Sequence, residues 1–298
     1  MSSLVAQPRL KDPRFKYPRP DFSKQEQDIP GSESSMHPAA DHGEKSYRGN
    51  ERLKDMVVLI TGGDSGIGRA IALACAREGA NIYFTWLDET EDAKTTRQLI
   101  EQEGRQVGDW QMDQPSRQAS DATIEDCVKK LGRLDVLINN AAFQKTYQSI
   151  QEITDDDIAL TFKTNIEAFF YLSRAALQHL PPGGSIINTT SIQAFAPKHY
   201  LLPYAATKAA IANFTIALAQ EAIESGIRVN AVAPGPVWTP LIPSTMPADK
   251  VAEFGEDCLF GRPAQPAELA PLYVFLASDD ASFITGEIYG VTGGKKQM

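Results

Sequence analysis

Tyr204 and Lys208 stand four residues apart in a stretch patterned as a helix, so their side chains share one helix face. That spacing brings an ammonium beside a phenol. A free tyrosine titrates near pH ~10, and a neighbouring positive charge favours its phenolate. Lowering that value by roughly three units would take about 4 kcal/mol of differential stabilisation. The chemistry open to such a pair is proton exchange with an oxygen that alternates between hydroxyl and carbonyl. Ser191, thirteen residues before Tyr204 at the end of a strand, is placed to hold that oxygen. Asn165 lies inside a long helical stretch, where asparagine is not a preferred residue. Its side chain is expected to hold a water that extends a proton path from Lys208. A Tyr-x-x-x-Lys pair by itself is more often a surface contact, so the weight rests on all four groups occurring in order.

A second cluster precedes these. The run Thr61-Gly62-Gly63-Asp64-Ser65-Gly66-Ile67-Gly68 directly follows a short β-branched strand. Its glycines permit a sharp turn and close backbone approach, and a helix opening near Gly66 offers free N–H groups to a pyrophosphate. Gly68 lets that helix pack close to the strand. A glycine-rich turn alone is a weak signal; between a buried strand and an amphipathic helix it points to a dinucleotide. Asp113 follows the third strand at an edge suited to an adenine. Asn139-Asn140-Ala141-Ala142 ends the fourth strand on the carboxyl edge, where ligands bind open α/β sheets.

The elements that must position these groups alternate. Strands are expected at 56–60, 81–86, 106–112, 136–139, 185–189, 227–231 and 287–291. Helices are expected at 67–77, 91–103, 116–130, 155–179, 204–225 and 266–277. This pattern predicts an α/β fold, a single Rossmann-type doubly wound parallel sheet with helices on both faces. Residues 1–50 read differently: six prolines punctuate a mixed-charge stretch with scarcely any apolar periodicity. They are expected to form an irregular arm over the folded unit or a neighbouring subunit, anchored by Phe15, Tyr17 and Phe22, with a disordered tail as the other reading. Residues 51–298 are then one dinucleotide-binding catalytic domain.

Bulk properties narrow the function classes. The 298 residues are 42% hydrophobic and 22% charged, enough for a sizeable core in a soluble protein. A net charge of −9 argues against a nucleic-acid partner. No uninterrupted apolar run approaches the ~18 residues of a membrane span, and no secretory signal opens the chain, so no membrane role is expected. The 3 cysteines are far apart, which fits a reducing cytoplasm and no disulfide framework. The 4 histidines show no metal-ligand spacing, and no metal is expected.

Together these residues resemble the short-chain dehydrogenase/reductase family from about Leu53 to Gly294. The matched positions are the 61–68 loop, Asp113, Asn139 to Ala141, Asn165, Ser191, Tyr204 with Lys208, and Pro234-Gly235-Pro236-Val237-Trp238-Thr239. Ala142 stands where the family usually has glycine. The resemblance implies that Tyr204 is the general acid/base, that Ser191 orients the substrate oxygen, and that Lys208 holds the nicotinamide ribose while Asn165 supports a water relay. It also implies that Pro234, Val237 and Thr239 meet the cofactor, and that the protein is a homotetramer joined through two long helices. The long N-terminus, the 43–47 segment and the 293–296 ending resemble a narrower bacterial subgroup of general-stress or aldehyde-reducing oxidoreductases.

The expected reaction is hydride transfer between a nicotinamide cofactor and a small alcohol or carbonyl substrate. Two other readings stay open: an isomerase or dehydratase using the same site, and a non-catalytic dinucleotide-binding regulator. Trp86 occupies the position that discriminates the two nicotinamides. With no acid ending that strand, NADP(H) is favoured over NAD(H). Gln193 and His199, beside Ser191 and Tyr204, are candidate substrate contacts. Phe143, Gln144, Phe195 and the 238–260 segment are expected pocket walls, the last as a mobile lid.

Overall fold

In the computed structural model, which describes residues 11–112 and 115–295, seven strands form one parallel sheet in the order β3-β2-β1-β4-β5-β6-β7. They are β1 (Val57–Ile60), β2 (Asn81–Trp86), β3 (Val107–Gln111), β4 (Val136–Asn139), β5 (Ser185–Thr189), β6 (Arg228–Pro234) and β7 (Ile288–Val291). Every residue of β1 is buried, because alternate side chains enter two different cores. Val58 and Ile60 join Ile82, Phe84, Leu269 and Tyr273 on one face. Val57 and Leu59 join Leu137, Leu172, Ile186 and Val229 on the other.

The helices covering the first face are α1 (Gly66–Arg77), α2 (Thr90–Gln102) and α9 (Pro266–Ala277). Those on the second are α3 (Arg117–Leu131), α5 (Ala168–Ala176) and α6 (Leu202–Ala222). Ser116 caps α3 by accepting the Ala119 N–H at 3.1 Å, and Gly132 closes it in a left-handed conformation. Because β1 pairs with β2 on one side and β4 on the other, the chain leaves β1 and β4 in opposite directions. Their carboxyl ends therefore open a crevice at the switch point of the sheet.

Two features depart from the expected pattern. The 155–179 helix is broken into α4 (Asp155–Phe162), a π-helical turn at Lys163–Glu167 and α5. The turn centres on Asn165, whose fully buried amide bonds outside the helix and so favours the local widening. The 238–260 segment is not an irregular lid, since it holds two short helices, α7 (Leu241–Thr245) and α8 (Ala248–Ala252). It also makes a small core of its own, in which Phe22 and Met36 pack with Trp238, Ile242 and Val251.

Residues 11–50 run across the domain. Phe22 lies 4.4 Å from the Trp238 ring, and Trp238 Nε1 donates to Pro38 O at 2.8 Å. Arg262 sits over Tyr17, whereas Phe15 is exposed and anchors nothing in the core. Further on, Arg77 donates to the carbonyls of Gly43, Glu44 and Tyr47, and the buried Glu78 accepts from Tyr47 and Arg52. The stretch from His199 to Ser225 is long and apolar enough, by length and composition, to cross a membrane. It packs against β6 and carries Tyr204 and Lys208, the position of a core helix.

Candidate active site

The carboxyl ends of β1, β4, β5 and β6 open onto a cavity of about 1280 Å³. That exceeds the roughly 300–1,000 Å³ of a typical single-ligand pocket and leaves room for a cofactor with a substrate. Gly62, Asp64, Ser65, Gly66 and Ile67 line it, as do Trp86, Asn140, Ala141, Ser191, Gln193, His199, Tyr204, Lys208, Pro234, Val237 and Thr239. Gly68 is absent from the wall. A Cβ there would fall 1.9 Å from the Gly62 carbonyl oxygen, so glycine is needed for α1 to meet the turn. Gly62 has φ of 61°, and its added Cβ would press on Ala141 at 3.2 Å. Asp113 lies outside the described residues.

Thr61 stitches the two central strand ends together. Its Oγ1 accepts from the N–H groups of Asn140 and Ala141 at 2.9 and 3.0 Å, and Asn140 Nδ2 donates back to the Thr61 and Gly62 carbonyls. The turn is thereby rigid from the β4 side. At the far end, Trp86 Nε1 donates to Asp109 at 2.9 Å, and Leu87 and Glu89 join the wall. Asp64 is buried there, and burial, with the Glu89 charge second, pushes its carboxyl up to about 7.

The reactive end gathers on α6 and β5. Lys208 is almost wholly buried; its Nζ donates to Thr189 O at 2.9 Å and lies 5.3 Å from the Tyr204 ring centroid. Ser191 lines the same wall as the Tyr204 phenol and acts on it to lower its titration, and the Ser191 Oγ accepts the Gln193 N–H at 3.1 Å. The expected lowering of the phenol by Lys208 is not what the protein's own groups produce. Burial pushes Tyr204 up to about 12 against the lowering influence of Ser191, and burial also pulls Lys208 down to about 7. The phenol is thus held in its proton-carrying form.

Asn165 is also placed differently from the expectation. Its Oδ1 accepts the Phe143 N–H at 2.7 Å, and its Nδ2 donates to Phe143 O at 2.9 Å and Thr207 Oγ1 at 3.0 Å. The amide is committed to tying the β4 exit to α6, and it does not form part of the cavity wall. A water held by this side chain is therefore not the role its bonds describe. Phe143 and Gln144 line the cavity, whereas Phe195 does not, and Trp238 faces the arm instead.

Sequence reasoning placed Thr61 in the loop but gave its hydroxyl no role, and it missed Ile29 and Pro30, which bring the arm to the cavity wall. It also missed Glu33, whose Oε1 accepts the Gly66 N–H at 2.6 Å. The hydroxyl at the strand end was a readable signal for Thr61. For the arm residues no local signal exists.

The glycine cradle and the cavity volume together fit a dinucleotide along the wall from Trp86 to Lys208. Comparison with known proteins agrees on the kind of scaffold. A family described as Enoyl-(Acyl carrier protein) reductase matches residues 62–296. General stress protein 39 of Bacillus subtilis (strain 168) is 48% identical over 265 residues, covering 89% of this chain and 93% of the relative. Glucose and ribitol dehydrogenase of Daucus carota is 42% identical over 284 residues, 92% of this chain and 96% of its own. A short-chain dehydrogenase from Burkholderia cenocepacia J2315, solved in complex with NADP, superposes with a TM-score of 0.76 at 31% identity, covering 82% of this chain and 98% of that one.

Proposed function

Because the chain belongs to the short-chain dehydrogenase/reductase family, we propose that it interconverts a small alcohol and its aldehyde or ketone with a nicotinamide dinucleotide, Tyr204 serving as general acid/base. The observation that carries this reading is the convergence of Tyr204, Ser191 and Lys208 on one cavity wall that continues into the glycine turn. In the reductive direction the Tyr204 phenol gives its proton to the carbonyl oxygen as that oxygen becomes a hydroxyl. The Ser191 hydroxyl donates to the same oxygen and keeps it within reach. Lys208, fixed by Thr189 O, is positioned to hold the ribose next to the ring. A bound nicotinamide supplies or takes up the hydride. In the oxidative direction Tyr204 must first lose its proton and then accept the one from the alcohol.

NADP(H) is the first choice of cofactor, since Trp86 and not a carboxylate ends β2, and one solved relative holds NADP. NAD(H) is the second reading, favoured by Asp64 and Glu89 on the same stretch of wall, where two acids would oppose a further phosphate. Gln193 and His199 line the substrate end, together with Thr146 and Lys250. That polar lining and the name of the Daucus carota relative put aldoses and alditols beside simple aldehydes among the candidates. Exposed Ile158, Phe162, Phe170 and Ile216 on α4, the adjoining α5 and α6 support assembly as a homotetramer. The three buried free thiols suit the cytoplasm.

The test is a spectrophotometric screen of aldehydes, ketones, aldoses and alcohols with NADPH and NADH. Turnover of nicotinamide absorbance with at least one compound is expected. Failure of either dinucleotide to bind would overturn the reading.

A further inference from the structure

The arm reaches the phosphate-facing turn at Gly66. Three N–H groups of α1 precede its first internal bond, from Arg69 N to Ser65 O, and they belong to Gly66, Ile67 and Gly68. Glu33 takes the first of them at 2.6 Å, although Glu33 is not part of the cavity wall while Gly66 and Ile67 are. The carboxylate is itself held. His42 Nε2 lies 2.8 Å from the same Oε1, and Glu44 holds the other ring nitrogen at 3.1 Å. The Glu33 backbone N–H donates to Asp92 at 3.0 Å, and Asp92 pairs with Arg69 of α1 at 2.9 Å. Glu33, His42, Arg69 and Asp92 are all buried.

A carboxylate at the start of a phosphate-binding helix would compete with a diphosphate if it faced the ligand. Here it lies outside the cavity wall, and its charge is matched by His42 and Arg69. Burial would raise the Glu33 carboxyl, but the His42 hydrogen bond, the His42 and Arg69 charges and the Gly66 N–H hold it below its ordinary value. The turn is therefore pinned at two points, at Thr61 through Asn140 and at Gly66 through Glu33.

We propose that the N-terminal arm is a working part of the dinucleotide site, with Glu33 the positioning residue that fixes the Gly66 turn for diphosphate binding. This rests on the dinucleotide reading above. The same arm grips the opposite bank, through Ser244 Oγ donating to Pro30 O at 3.2 Å and Gln27 N donating to Pro243 O at 2.9 Å. The arm thus spans the turn and the substrate-side helices.

The test is titration of the full-length protein with NADPH and NADH, by calorimetry, for wild type, Glu33→Ala and Glu33→Gln, alongside steady-state kinetics. A charge-assisted hydrogen bond of this kind supports an expected loss in dinucleotide affinity of about tenfold or more in Glu33→Ala, with kcat at saturation nearly unchanged. Glu33→Gln, which retains an acceptor for Gly66, should recover most of that affinity. Wild-type affinity in a folded Glu33→Ala would overturn the proposal, as would a fall in kcat with no change in cofactor affinity. If Glu33→Ala does not fold, Glu33→Asp decides, since its shorter side chain keeps the charge but withdraws the acceptor from Gly66: weakened dinucleotide affinity supports the proposal, and unchanged affinity overturns it. Failure of the wild type itself to bind either dinucleotide would instead remove the reading beneath it.

Discussion

The Tyr204 phenol sits under two opposing influences, and in the proposed reaction their balance would decide which direction is easy. Burial raises it and the Ser191 hydroxyl lowers it, with burial winning at about 12. Below that value the group carries a proton and is ready to give it to a carbonyl. Above it the group is a phenolate and is ready to take a proton from an alcohol. Ser191→Ala removes the lowering influence, so Tyr204 should titrate still higher. Alcohol oxidation, which needs the phenolate, should then require a more alkaline pH. Carbonyl reduction at neutral pH should keep its protonation state but lose about 10²-fold in kcat through the missing hydrogen bond. Rate profiles in both directions check this. An unshifted alkaline limb in the variant would show that Ser191 does not act on the phenol.

Secondary-structure elements place these groups, and the arm is the least conventional of them. It buries Phe22 against Trp238 and holds Trp238 Nε1 through Pro38, so α7 and α8 are fixed from outside the sheet. Phe22→Ala should cost about 3 kcal/mol, which for a chain of this size is a fall of roughly 6–12 °C in Tm. Calorimetry on the variant measures it, and an unchanged Tm would mean that the arm is docked without contributing stability. The arm also shows where sequence reading stops. Phe22, Tyr17 and Phe15 are equally aromatic on paper, but one is buried, one lies under Arg262 and one is exposed. The partners that Phe22 and Tyr17 find lie more than 200 positions away. The π turn at Asn165 is an intermediate case. Its poor helix preference flagged the position, but the Phe143 and Thr207 partners exist only after folding.

The sheet, by contrast, was readable because its signals are local. Four consecutive buried residues in β1, followed at once by a glycine turn, specify a strand covered on both faces and a ligand edge beside it. The same locality made Tyr204 and Lys208 legible, since one helix turn brings them together without knowledge of the rest. What covers α4, α5 and α6 is a matter for the assembly. Phe170 packs on Phe214 at 4.4 Å yet remains half exposed, together with Ile158, Phe162 and Ile216. Burying that face between subunits would account for it. The wild type should then run as a tetramer of 32.6 kDa chains in analytical ultracentrifugation, and Phe170→Glu should dissociate it into smaller species. A monomeric wild type would contradict that assembly.

The decisive comparison is between wild type and Tyr204→Phe, with turnover of the best substrate and dinucleotide affinity measured on the same preparations. Loss of the phenolic hydroxyl should reduce kcat by about 10³-fold or more while leaving the dissociation constant of the dinucleotide within about threefold. Near-normal turnover in Tyr204→Phe would contradict the account, since the proton would then be coming from some other group.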